Sequence, residues 1–135
     1  MKIATHKDLR VWQEAVDAAM TIFVATKRFP AEEKYSLVDQ VRRSSRAVAA
    51  AISEAWRRRR YEAAFINKLN EAEGEAAETQ TWIEFAYRCG CLKGPEATAL
   101  DACYEQILGQ LVTMISRPDC WVLRRNPAPK PPVAR

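Results

Sequence analysis

The chain has 135 residues, the length of one ordinary domain rather than two. At 48% hydrophobic and 28% charged, it has enough apolar material to fold as a compact globule, which excludes an intrinsically disordered chain. Twenty-one Lys and Arg against 17 Asp and Glu give +4 at pH 7; with only 4 glycines to make turns, an all-β fold is nearly excluded.

The start, Met1 to Lys7, is polar. No signal-peptide core follows it, and no stretch approaches the roughly 20 apolar residues of a membrane span. The expectation is a cytoplasmic protein without a membrane partner, its four cysteines (Cys89, Cys91, Cys103, Cys120) reduced.

The first helical pattern runs from Leu9 to Arg28, with Leu9, Trp12, Val16, Ala19, Phe23 and Thr26 as its apolar stripe. Thr5 and Asp8 form a Thr-x-x-Asp start signal. Phe29-Pro30 ends the run, because proline disfavours helical geometry in the residue before it. The second pattern follows Pro30 and reaches Arg59, its stripe Val38, Val41, Ser45, Val48, Ile52 and Trp56 set among alanines that let a neighbouring helix approach. One unbroken helix from here would exceed fifty residues, so a turn is placed near Arg60-Tyr61 although no Gly or Pro marks it.

The third pattern, Glu62 to Cys89, has Phe65, Leu69, Ala72, Ala76, Thr79, Trp82 or Ile83, and Ala86 on one face. Gly90 and Gly94-Pro95 mark its end and a short connection. The fourth runs from Pro95 to Ser116 with Leu100, Cys103, Ile107, Leu111 and Met114 as its stripe, and Pro118 closes it. Four such helices predict an all-α, antiparallel up-down-up-down four-helix bundle over residues 1–117. Residues 118–135 are a basic, proline-rich tail, expected to be mostly extended or flexible.

Charge is unevenly spread. From Arg42 to Arg60, seven arginines meet one acid, Glu54, a net +6; from Tyr61 to Tyr87, six glutamates meet Lys68 alone, a net −5. With a turn near residue 60, antiparallel pairing puts Arg46 near Glu75 and Arg42 or Arg43 near Glu78. Arg42, Arg43, Arg46, Glu54, Glu75 and Glu78 therefore read as interhelical or subunit ion pairs. The run Arg57-Arg58-Arg59-Arg60 covers more than a full helical turn, so its members cannot all face one acidic neighbour. Guanidinium forks suit phosphate, and a cluster of them is an electrostatic footprint for nucleic acid. The plainer alternative is a solvated helix C-terminus, where the helix dipole favours cations in any case. Arg57, Arg58, Arg59, Arg60 and Lys68, with Arg124 and Arg125 of the basic tail, form the candidate nucleic-acid-binding set.

Catalytic signatures are missing. His6 is the lone histidine, so neither a His-centred triad nor a multi-histidine metal site can form. Cys89-x-Cys91 lacks zinc-knuckle spacing, and Cys103 reads as a core residue. Glu71, Glu75 and Glu78 lack the Glu-x-x-His partners of a bundle di-iron site, and no glycine-rich phosphate loop occurs. The expectation is a non-enzyme with no metal and no cofactor.

Asp8-Leu-Arg-Val-Trp-Gln-Glu-Ala15, Thr26-Lys-Arg-Phe-Pro30, Tyr35-Ser-Leu-Val-Asp-Gln-Val-Arg-Arg-Ser-Ser45, Ile52-Ser-Glu-Ala55, Ala72-Glu-Gly-Glu-Ala-Ala-Glu-Thr-Gln80 and Cys89-Gly-Cys-Leu92 occur in that order. Over about residues 8 to 115 this resembles the bacterial four-helix-bundle family named after proteins encoded in intervening sequences of large-subunit (23S) ribosomal RNA. The resemblance implies a homo-oligomer, with ring-shaped pentamers among members, and a likeness to the accessory variability determinant of diversity-generating retroelements. That relative is a basic pentameric barrel that binds nucleic acid and a reverse transcriptase. By position, Arg42, Arg43, Glu54 and Glu78 match the family's recurrent charged residues, and Gln40 its recurrent amide.

Two functions follow as expectations. The first is a nucleic-acid-binding accessory protein, a homopentamer that holds RNA or DNA and supports an RNA-templated process such as retroelement reverse transcription. The second is an oligomeric protein-interaction scaffold with no nucleic-acid role, in which helix-two arginines meet helix-three glutamates of the same or the next copy. In the second, Tyr61 and Trp121 are exposed aromatics on which a partner docks.

Overall fold

A computed structural model describes residues 2–123. The described chain is all-helical: α1 spans Arg10–Thr26, α2 Leu37–Arg57, α3 Glu62–Arg88 and α4 Gly94–Ser116. Short 3-10 turns occupy His6–Asp8, Ala31–Glu33 and Pro118–Cys120. Each helix packs against its sequence neighbours, and α4 returns to α1, so the four close into a square. Side-chain contacts fix the directions. Trp12 of α1 meets Ser53 of α2, Ser44 of α2 meets Thr79 of α3, Gln80 of α3 meets Glu105 of α4, and Glu14 near the start of α1 meets Gln110 near the end of α4. Every adjacent pair is antiparallel, the up-down-up-down bundle that the periodicity predicts.

The stripes of α2 and α3 are buried as read from the sequence, with Ile83 rather than half-buried Trp82 turned inward. Two stripes differ. In α1 the core face is Val11, Ala15, Ala18, Ile22 and Ala25, about one residue round from the predicted line. Trp12 and Phe23 lie instead on the flank toward α2, where the Trp12 indole N–H donates to Ser53 Oγ at 2.9 Å. An indole needs that polar partner, and the small Ala15 and Ala18 let α1 approach the centre closely. In α4 Cys103 is exposed and Tyr104 is fully buried in its place. The larger aromatic stem wins the core position, since burying it removes far more apolar surface from water than a thiol does.

Helix limits follow local chemistry. Residues 27–29 close α1 with tightened i→i−3 bonds before Pro30. Helix α2 starts at Leu37, later than the glutamates after Pro30 predict, because those residues form the 3-10 turn. Glu33 then reaches forward to accept the Ser36 hydroxyl at 2.7 Å and the Leu37 N–H at 3.3 Å. Gly90, with φ 79°, ends α3: the Gly90 N–H bonds to the Tyr87 carbonyl and the Cys91 N–H to that of Ala86, a Schellman cap. Thr5 and Asp8 cap the 3-10 turn ahead of α1, Asp8 Oδ2 accepting from the Thr5 and Ala4 N–H groups. Beyond Pro118 the chain stays on the bundle as far as it is described. Trp121 and Val122 pack against the core, so Trp121 is not the fully exposed docking aromatic expected of it, and the Leu123 N–H donates to the Arg59 carbonyl at 2.8 Å. The expected tail residues Arg124 and Arg125 and the proline-rich end lie outside the described residues.

Candidate nucleic-acid interface

The up-down topology gathers four chain segments at one end of the rod: the start of α1, the end of α2, the start of α3 and the end of α4. Here α2 stops at Arg57, and Arg58–Tyr61 form a single turn closed by the Tyr61 N–H on the Arg58 carbonyl at 3.1 Å. The arginine run thus straddles a helix end and a hairpin tip rather than continuing along a helix face.

Its members behave differently. The Arg59 guanidinium lies over the Trp56 ring, 3.3 Å from its centroid, and its Nε donates to the Trp56 carbonyl at 2.9 Å. Burial, then the charge of Arg57, holds its pKa below the ordinary guanidinium value, although an arginine stays charged in water at any working pH. Together with the Leu123 bond this makes Arg59 the anchor of the turn. Arg57, Arg58 and Arg60 are exposed, and none has an ion pair or hydrogen-bonded side-chain partner among the described residues. Lys2, Lys7 and Arg117 are exposed at the same end, where Asp8, Glu62 and Asp119 are carboxylates. Tyr61, at the N-terminus of α3, is 64% exposed and offers no side-chain cap to the first turn.

Lys68, expected with this group, belongs elsewhere. It faces α2 from about two turns further into α3, and its ammonium is held between Glu54 at 2.8 Å and Glu71 at 2.9 Å. The hydrogen bonds it donates to those carboxylates raise its pKa, and the Lys68 bond correspondingly lowers that of Glu54. A cation so occupied is not a free phosphate contact.

The expected ion pairs along α2 are resolved one by one. Arg43 takes both acids, pairing with Glu78 and, at 3.6 Å, with Glu75. Of the two alternatives for Glu78 it is thus Arg43 that pairs, and Arg42 and Arg46 make no ion pair among the described residues, Glu75 going to Arg43 rather than to Arg46. Consecutive helical residues are about 100° apart, so when Arg43 faces α3 its neighbour Arg42 faces α1. There Arg42 donates from Nε to Thr26 Oγ1 at 2.8 Å and from a terminal nitrogen to the Phe23 carbonyl at 3.3 Å, while its guanidinium lies 4.7 Å from the Phe23 ring centroid. Arg46, one turn on, approaches the same ring at 5.9 Å. Arg42 therefore caps the C-terminus of α1, a role invisible to charge counting. The i, i+3 pair Trp56 and Arg59 did carry a readable signal for the stacked anchor.

Elsewhere the grooves carry little chemistry. The one of about 300 Å³ between α3 and α4 is lined by Gln80, Ile83, Glu84, Tyr87, Gly94, Ala97, Thr98 and Asp101, with neither histidine nor cysteine. No helix of the described residues is long and apolar enough to cross a membrane.

Residues 7–113 match the profile of the 23S rRNA-intervening sequence protein family. A solved structure, described as a protein with unknown function from the S23 ribosomal protein family of Bacteroides thetaiotaomicron, superimposes with a TM-score of 0.71 at 29% identity. The match covers 78% of this chain and 95% of that one. No curated protein matches the sequence.

Proposed function

The chain belongs to the 23S rRNA-intervening sequence protein family, and we propose that it is a non-enzymatic nucleic-acid-binding accessory protein whose α2–α3 tip grips phosphate. The observation that carries this reading is the trio Arg57, Arg58 and Arg60, exposed at the end of the bundle and in no ion pair among the described residues. Elsewhere on α2 and α3, Arg43 and Lys68 are each held by two glutamates. A solvated helix end accounts for one or two such arginines. It does not account for a turn that ties down Arg59 and leaves its neighbours outward. The protein works as a homo-oligomer, a pentameric ring, in the service of an RNA-templated process such as retroelement reverse transcription. Exposed Met20 and Val24, one turn apart on α1, support a contact between copies. A ring would multiply each tip, and linked weak sites raise apparent affinity about 10²- to 10⁴-fold where geometry permits.

The scaffold reading is less favoured, because Arg43 takes two α3 glutamates within one chain and Arg42 and Arg46 turn to the Phe23 ring of α1, so few α2 cations short of the tip remain for the glutamates of another copy. The test is a titration of labelled RNA at two salt concentrations with the native chain and the R57S/R58S/R60S variant. Native binding should weaken steeply with salt, since each phosphate contact adds roughly 0.7 to the logarithmic slope on a single strand. The variant should lose about tenfold or more in affinity and about two units of slope. Binding that ignores salt, or that survives the triple change intact, removes the proposal.

A further inference from the structure

The tip holds more than charge. Tyr61 closes the arginine turn, and its backbone is fixed on both sides: its N–H bonds to the Arg58 carbonyl, and its own carbonyl accepts from the Phe65 N–H at 2.9 Å. The side chain is left bare. It is 64% exposed, and neither a ring, a cation nor a hydrogen-bond partner meets it among the described residues. Tyr87 is also about half exposed, but it lines the α3–α4 groove at the far end of α3 from the arginine turn. Tyr35 lies under the Lys34 ammonium, Trp56 under Arg59, Trp121 packs on the core and Tyr104 is buried. Because a four-residue turn keeps its first and last Cα atoms within about 7 Å, Arg58, Arg60 and Tyr61 all spring from a stretch of backbone no wider than a nucleotide or two. A stiff aromatic face beside flexible guanidiniums suits an unpaired base whose neighbouring phosphates are to be neutralised.

We propose, resting on the nucleic-acid reading above, that this tip selects single-stranded over duplex nucleic acid, with an unpaired base stacking on Tyr61 and Arg58 and Arg60 holding the flanking phosphates. Duplex bases already stack on one another and offer no free face, so a duplex engages the arginines alone. The preference is insensitive to sequence, since every base has a face to offer. Leu123, about half exposed and bonded through its N–H to the Arg59 carbonyl, supplies an apolar shoulder beside the same site.

The experiment uses the full chain with an unstructured 20-nucleotide labelled RNA and a duplex of the same length. Native protein, Tyr61→Ala, Tyr61→Phe and R57S/R58S/R60S are compared by fluorescence anisotropy. Tyr61→Ala should weaken single-strand binding about 5- to 100-fold, with duplex affinity and both salt slopes unchanged, and Tyr61→Phe should restore it. A Tyr61→Ala effect that is absent, or equal on both probes, overturns the stacking inference; if the triple arginine variant still abolishes binding, the broader phosphate reading stands. Failure of the native chain to bind either probe overturns both. Circular dichroism melting of Tyr61→Ala should match native protein, because an exposed ring contributes little to folding.

Discussion

The middle of α2 and the tip that follows it carry the same residue type with opposite fates. In the middle, Arg42, Arg43 and Arg46 stand beside a neighbouring helix on either side, and each guanidinium finds something to hold: Phe23 and Thr26 on α1, Glu75 and Glu78 on α3. At the tip α2 has ended, and among the described residues only Arg59 of the run finds a local surface, the Trp56 ring. Arginine density therefore says little by itself. Position along an antiparallel pair decides whether a cation is spent on the fold or left for a partner, because cross-helix partners exist only where both helices run side by side.

Removing a guanidinium from each place, and reading both stability and binding, puts that distinction at greatest risk. Arg42→Ala deletes the cap on the Phe23 carbonyl, the bond to Thr26 and the ring contact together. It should cost about 2–3 kcal/mol by chemical denaturation while leaving RNA affinity unchanged. A drop in affinity without a drop in stability would move Arg42 into the binding surface and erase the distinction. Thr79→Val probes the same seam from the other side. Thr79 Oγ1 lies 2.8 Å from both Ser44 Oγ and the Glu75 carbonyl, and both side chains are fully buried. Losing the hydroxyl leaves Ser44 without its partner on α3, at about 1–2 kcal/mol. Adding Ser44→Ala should recover part of that loss, since the orphaned group disappears with it.

Much of this is legible in the amino-acid sequence. The 3.6-residue stripes of α2 and α3 are long and strongly patterned, so helix number, order and core faces there follow from spacing alone. The arginine tip is also legible, because four consecutive cations cannot share one face. The departures have one cause: a stripe has a width, and which edge of it faces the centre depends on the neighbours. Trp12 is drawn outward by a hydrogen bond to Ser53, and Cys103 yields to Tyr104 on bulk. Pairing arithmetic likewise fixes which helices oppose each other but not the rotation that separates Arg42 from Arg43. The Arg59 anchor depends partly on Leu123, more than sixty positions away, which no local pattern can supply.

Lys68 lies at the boundary between the two regions, about two turns beyond the tip, and its removal has the mildest consequence for stability. Its ammonium bridges Glu54 and Glu71, which lowers the pKa of Glu54 and raises that of Lys68. A depressed carboxyl contributes stability above its ordinary value of 4.5, lost as the pH falls through the lower folded-state value. A raised ammonium contributes stability below its ordinary value of 10.5, lost as the pH rises through the higher folded-state value. The bridge should therefore act as a shallow plateau between acid and strong alkali. Lys68→Met should flatten both shoulders of a melting-temperature profile relative to native protein, by a small amount since the carboxylates are half in solvent. Its RNA affinity and salt slope should stay native. If instead the slope falls by about 0.7, Lys68 leaves its glutamates for phosphate, and the binding surface extends from the tip down the start of α3.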